Sequence, residues 1–249
     1  MRQSATPGLA NRFLAGSAAA VALFSLAACA AKGHDLSQIN FRPLSANPRI
    51  VLMPPDIRYY LLTAGGHPEL HAEWTGEAQS VFSNTALDIA RAKGVDLVVL
   101  GRNDISPLTL QYEGLHAAVG EAVIEHALGS AALPSRDTNL ASSWTLGPGV
   151  RELSKQSGAD YGLFVHYREN QASGGRIAFA ILAAAAKTPI PTGSSHGFVS
   201  LIDLETGNIA WFGVISGDMR EVEGANAVAG WIFDGLPFLK STAGGHAPE

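Results

Sequence analysis

Apolar residues come in short runs punctuated by glycine and proline, and their spacing changes from run to run. Arg49-Ile50-Val51-Leu52-Met53 turns apolar after its first residue and stops at Pro54-Pro55, which predicts a strand. Tyr59–Leu62 predicts a second extended piece, closed by Ala64-Gly65-Gly66. After Thr75, read as a helix cap, Ala78, Val81, Phe82, Ala86, Ile89 and Ala90 recur at helical spacing until Gly94. Val95–Leu100 is apolar except for Asp96, as a central strand covered on both faces would be.

Pro107 opens a second predicted helix reaching about Leu128. Leu108, Leu115, Val119, Ala122 and Val123 share one face, and Leu110, Ile124 and Leu128 widen it. Gly129–Gly149 reads as a loop, Val150–Ser157 as a short helix stopped by Gly158, and Asp160–Arg168 as a buried strand. Gln171–Gly175 reads as a turn. Ile177–Ala186 is continuously apolar yet far short of the roughly 20 residues that span a bilayer. Burial as a core helix is the expectation; an exposed apolar contact for a partner or membrane is the alternative. Phe198–Leu204 and Ile209–Ile215 flank Glu205-Thr206-Gly207-Asn208, a hairpin signal. Ala225–Lys240 predicts a last helix with Val228, Trp231, Ile232 and Leu239 on one side. The alternation predicts a three-layer α/β sandwich whose mixed sheet is parallel in its first half and ends in an antiparallel hairpin.

The start of the chain follows a different pattern. Residues 1–12 carry Arg2 and Arg12 and no acid, and Phe13–Ala28 is apolar and small. A basic region, an apolar region and small residues before a cut describe a secretory signal. Leu26-Ala27-Ala28-Cys29 resembles a bacterial lipobox and contains the only cysteine. The resemblance implies cleavage before Cys29 and acylation of its thiol. The alternative is an ordinary cleaved signal or a short uncleaved anchor, with Cys29 incidental. Each buried CH₂ of an acyl chain contributes about 0.8 kcal/mol, so the three chains typical of such lipoproteins imply permanent membrane attachment. Ala30, where an Asp would signal retention, resembles an enterobacterial outer-membrane sorting signal. The expected organisation is a signal peptide at 1–28, a flexible tether at 29–47, a periplasmic α/β domain at 48–240 and a loose tail at 241–249.

Removing 28 of the 249 residues leaves 221, enough for one large domain or two small ones. The leader takes two of the 17 basic residues and none of the 22 acids, leaving a mature chain near −7. That balance argues against nucleic acid or an anionic lipid surface as a partner. With Cys29 acylated no thiol is left, so neither disulfides nor a cysteine-ligated metal enter the picture. Stability must come from a core, which an apolar fraction of 47% can supply.

Three stretches carry a wider resemblance. They are Ile50-Val51-Leu52-Met53-Pro54-Pro55 after a lipobox, Gly158-Ala159-Asp160-Tyr161-Gly162-Leu163-Phe164-Val165, and Val199–Trp211 with Thr206-Gly207 at its tip. Together they resemble the α/β domain shared by the TolB amino-terminal domain, the curli secretion lipoprotein CsgG and the synthase activator LpoB. Tyr59–Trp74 and Ile177–Ala186 depart from that pattern. The resemblance implies a non-enzymatic adaptor, activator or secretion component, and it offers no catalytic residues.

Candidate chemistry is sparse. Gly193-Ser194-Ser195-His196-Gly197 matches G-x-S-x-G, but a nucleophile elbow needs a strand before the serine and a helix after it, and the predicted order is reversed. His67-Pro68-Glu69-Leu70-His71 lacks zincin spacing, and neither His116 nor His126 supplies an evident third ligand. Glu113-x-x-His116 has half of a di-iron motif without carboxylate-rich partner helices, so a surface helix face is expected there. Ala183–Thr188 lacks the glycines of a phosphate loop. No catalytic, metal-ligating or cofactor-binding residue is therefore assigned. Arg102, Asn103 and Asp104 follow one predicted strand, and His166, Arg168 and Glu169 end another, where α/β sheets gather ligands. The expectation is a lipid-anchored protein on the periplasmic face of the outer membrane, acting without catalysis on an envelope protein partner. The alternative is a ligand-binding or enzymatic domain built on Arg102, Asp104, His166 and Arg168. Convergence of those four in a pocket favours the alternative, and dispersal favours the adaptor.

Overall fold

The structure, a computed structural model, describes residues 34–35, 48–100, 104–128 and 144–239. Its strands are β1 (His34–Asp35), β2 (Arg49–Leu52), β3 (Asp56–Leu62), β4 (Pro68–Leu70), β5 (Asp96–Val99), β6 (Tyr161–Ala172), β7 (Gly193–Asp203) and β8 (Ile209–Ile215). Its helices are α1 (Ala72–Ala92), α2 (Pro107–Leu128), α3 (Arg151–Ser157), α4 (Gly174–Ala185) and α5 (Val222–Gly235). The lipobox, Cys29, Arg102 and the 241–249 tail lie outside the described residues.

The strands form one mixed sheet in the order β1-β8-β7-β6-β2-β5, with β3 on β6 beyond β2 and β4 on β3. The β5–β2–β6 and β3–β6 pairs are parallel, and β6–β7–β8–β1 is antiparallel. Alternating side chains feed two cores. Ile50 and Leu52 join Trp211, Ile232 and Phe233 beneath α1 and α5. Val51 and Met53 join Phe164, Phe198 and Phe212 beneath α2 and α3. The architecture is the three-layer α/β sandwich that the alternation predicts, parallel in its first half with the hairpin near the end.

Local chemistry fixes the joints. Gly158 ends α3 at φ 67°, a left-handed position that glycine adopts without strain. At the β7–β8 tip, Asp203 Oδ1 accepts from the Glu205 and Thr206 amides, and Gly207 sits at φ 83°. A Cβ there would lie 2.2 Å from the Gly147 carbonyl oxygen, so glycine is required twice over.

Several elements depart from expectation. Val95–Leu100 predicts a central strand, yet β5 is the edge strand and Val98 is exposed. Leu97 and Val99 pack on one core while Val98, on the other face, is left open; an apolar run does not say whether a strand lies on each side or whether both faces are covered. His71, not Thr75, caps α1: its Nδ1 accepts from the Trp74 amide at 3.4 Å, while Thr75 Oγ1 accepts from the Tyr59 amide at 3.0 Å. The buried stripe of α2 is Thr109, His116, Gly120 and Val123, and Leu110 and Leu115 face solvent. The reason is Gly120, where any Cβ would strike the Phe198 ring. The helix turns Gly120 toward the sheet together with Leu108, Val119, Val123 and Ile124 of the expected face, while Leu110 and Leu115 are left outside. His34 and Asp35, inside the expected tether, pair with Val214 and Gly213.

The largest reversal is α4. The core helix expected at Ile177–Ala186 is exposed along its length, with Ile181 and Leu182 about two-thirds accessible. It follows β6 directly, at the carboxyl end of that strand. Only Arg176 is buried, and its guanidinium donates to Pro191 O at 3.1 and 3.2 Å and to Ala64 O at 3.5 Å.

Candidate functional site: a polar cleft at the strand ends

Pro54-Pro55 makes the site. Proline has no amide hydrogen to extend a ladder. β2 therefore ends after Leu52, and the chain resumes as β3 further along the same neighbour, β6. Beyond the carboxyl ends of β2 and β5 this leaves a cleft of about 490 Å³. Asp56 and Arg58 of β3, Ser83 and Asn84 of α1, and Glu113 of α2 line it. Open α/β sheets bind ligands at this place.

Asp56 is the hub. Its Oδ2 accepts from Arg168 Nη2 at 2.6 Å and lies 2.9 Å from His166 Nδ1, and its Oδ1 accepts from Arg58 Nε at 3.0 Å. Burial pushes this carboxyl up, but hydrogen bonds from His166 and Arg168, with their charge, hold it well below the usual range. Arg168 Nη1 donates to the carbonyls of Asp56 and Tyr167 at 2.7 and 2.9 Å. The cluster thus fastens the first turn of β3 to β6 where the prolines have interrupted the sheet. His166 stacks on Phe198 and lies 3.8 Å from Glu121 Oε1, as His196 does at 3.6 Å.

Glu113 and His116 sit one helical turn apart on α2. Glu113 Oε1 is buried without a hydrogen-bond partner. Burial first, then the negative charge of Asp56, push its carboxyl up to about 7. His116, expected on a surface face, is buried between Phe164 and Phe198, with Nε2 2.9 Å from Ser200 Oγ. Burial holds it neutral, down to about 3. This His–Ser pair is sealed in the core, where no substrate reaches it.

His166 and Arg168 therefore converge, but on Asp56. Asp104 is exposed and does not line the cleft. Gly193-Ser194-Ser195-His196-Gly197 lies within β7, paired with β6, and makes no strand-to-helix elbow. His71 caps α1 and stacks on Trp74, and Arg220 covers the Trp74 ring. Among the described residues no cluster of three or more His, Cys, Asp or Glu could hold a metal ion. Sequence reading missed Asp56 and the cleft; the available signal was Pro-Pro followed by Asp-x-Arg at the start of a strand.

No family model matches the chain. No curated protein matches it. Among solved structures, it is similar to a dodecamer of a PelC variant from Paraburkholderia phytofirmans, 14% identical over 83% of this chain and 97% of that one, with a TM-score of 0.36. The PelC dodecamer from the same organism in another crystal form gives 13% identity over 84% and 96%, with a TM-score of 0.35.

Proposed function

We propose that this chain is a lipoprotein anchored through acyl chains on Cys29 to the periplasmic face of the outer membrane. Its α/β domain then serves as a non-enzymatic adaptor or assembly factor for an envelope protein complex. The observation that carries this reading is the internal saturation of the Asp56–His166–Arg168 cluster. Each Arg168 contact and the His166 Nδ1 contact end on Asp56 or on backbone carbonyls. Groups held this way stabilise a sheet joint and are poorly placed to transfer protons to a substrate. The resemblance to TolB, CsgG and LpoB domains points the same way. Crosslinking in cells followed by mass spectrometry tests it: an envelope protein joined to the domain is expected, and recovery of the monomer alone overturns the adaptor role.

One observation favours a second reading, a small polar ligand in the cleft. Glu113 Oε1 is an acceptor with no partner, beside Asn84 and Ser83. Buried acceptors without partners are uncommon in folded proteins. A thermal-shift screen of small cationic metabolites should then find a compound whose shift disappears in Glu113→Gln. No shift across the screen removes this reading.

A further inference from the structure

We infer that α4 is a second membrane contact, lying in the surface of the bilayer that holds the acyl anchor. The inference rests on the acylation of Cys29 proposed above.

Strand register gives the first argument. His34 pairs with Val214, Val214 with Phe198, and Phe198 with His166. β1 runs antiparallel to β8, so the chain before His34 leads toward the end of the sheet from which α4 departs. From the level of His166, β6 continues six residues to Ala172, about 20 Å at strand rise. Cys29 lies five residues before His34, a leash of at most about 18 Å. The anchor cannot rise appreciably past the end of β6. A bilayer that takes up the acyl chains therefore meets the sheet at that end, at the level of α4.

The helix itself gives the second. At 100° per residue, Ile177, Phe179, Ile181 and Leu182 spread over about 200° of its circumference, and all four are exposed. Arg176, Ala180 and Ala183 form the inner stripe. A helix docked in a protein groove presents a narrower row of anchors. An apolar surface this wide matches a surrounding medium better than a one-sided groove. Its length, about 18 Å, suits lying in the interface, and no helix among the described residues is long and apolar enough to cross a membrane.

Charge gives the third. The chain is net acidic, yet no carboxylate occurs between Glu169 and Asp203. The charged residues of that stretch other than histidine are Arg176, at the root of α4, and Lys187, just past its end. Strand register brings one exposed carboxylate, Glu69 of β4, level with Gln171, so the basic character belongs to α4 and its flank and not to the whole of this end.

The test uses the full acylated chain, with its own leader, reconstituted in phosphatidylethanolamine–phosphatidylglycerol vesicles. Leu182→Cys carries an environment-sensitive fluorophore, and Thr206→Cys at the opposite end of the sheet serves as control. Doxyl-labelled phospholipid should remove most of the fluorescence at position 182 and little at position 206. Mass spectrometry of the amino-terminal peptide reports acylation in the same sample. Acylation without quenching overturns the helix contact and leaves the anchor standing. Quenching without acylation supports the contact and removes the anchor. A label sheltered from water but indifferent to doxyl lipid, and exposed on dilution, overturns the contact in favour of a second copy of the chain.

Discussion

α4 and α5 are nearly equal in length and apolar character, yet their surroundings are opposite. α5 buries Val228, Ala229, Ile232 and Phe233 against α1 and Trp211. α4 buries Arg176 and presents Ile177, Phe179, Ile181 and Leu182 to its surroundings. Composition cannot distinguish the two, because it records how much apolar surface a helix carries and not what covers it. The connections decide. α5 follows a loop tied down by Tyr59, whose hydroxyl donates to Asp218 Oδ1 at 2.5 Å and accepts from the Met219 amide, and so returns across the sheet. α4 starts at Gly174, capped by Ser173 directly after β6, and buries only Arg176.

The same contrast recurs among polar groups. Asp56 has three cationic or imidazole neighbours, whereas Glu113, lining the same cleft, has an oxygen with none. Covered apolar surface and partnered charge mark what the fold uses. Uncovered apolar surface and the unpartnered acceptor mark what it offers.

The comparison breaks first at Phe233. Phe233→Ala should cost about 4 kcal/mol in urea unfolding, while Phe179→Ala should cost well under 1 kcal/mol. Equal losses would mean that α4 is covered after all. Asp56→Asn comes next, at about 3 kcal/mol, because it strips a partly buried Arg168 and His166 of their shared carboxylate. The native pairing lowers the Asp56 pKa, so its contribution is present above the unfolded carboxyl pKa and is lost as pH falls through the folded one. The advantage of wild type over Asp56→Asn should accordingly shrink in strong acid.

Glu113→Gln should act in the opposite sense. A folded pKa of about 7 exceeds the unfolded value, so the folded state retains a proton that the unfolded chain releases. That contribution is full below the unfolded carboxyl pKa and is lost as pH rises through about 7. The variant should therefore exceed wild type by about 1–2 kcal/mol at pH 8, with little difference at pH 4. Both proteins keep His116, whose own loss of stability below the unfolded imidazole pKa cancels in the difference. The smallest effect is expected for Leu182→Asp, within about 0.5 kcal/mol of wild type in detergent-free unfolding.

Much of this fold was readable from residue order. Gly158, Gly207 and Pro54-Pro55 each mark a joint that backbone chemistry requires, and the hairpin falls where Thr206-Gly207 places it. What escaped were relations between distant parts of the chain. Gly120 joins the inner face of α2, and Leu115 leaves it, only because Phe198, far away in sequence, stands opposite that glycine. Asp56 gains its meaning only when β6 brings His166 and Arg168 alongside. Arg102 lies outside the described residues; of the other three residues named for the alternative, His166 and Arg168 meet at Asp56 and Asp104 stands apart from the cleft.

The central claim is covalent, and intact mass tests it most directly. The full-length gene is expressed with its own leader, membranes are separated from soluble fractions, and the chain is weighed. The account predicts a membrane-bound polypeptide beginning at Cys29 and heavier than residues 29–249 by its glyceryl and acyl groups. A soluble product that still begins at Met1 and carries no added mass would contradict it.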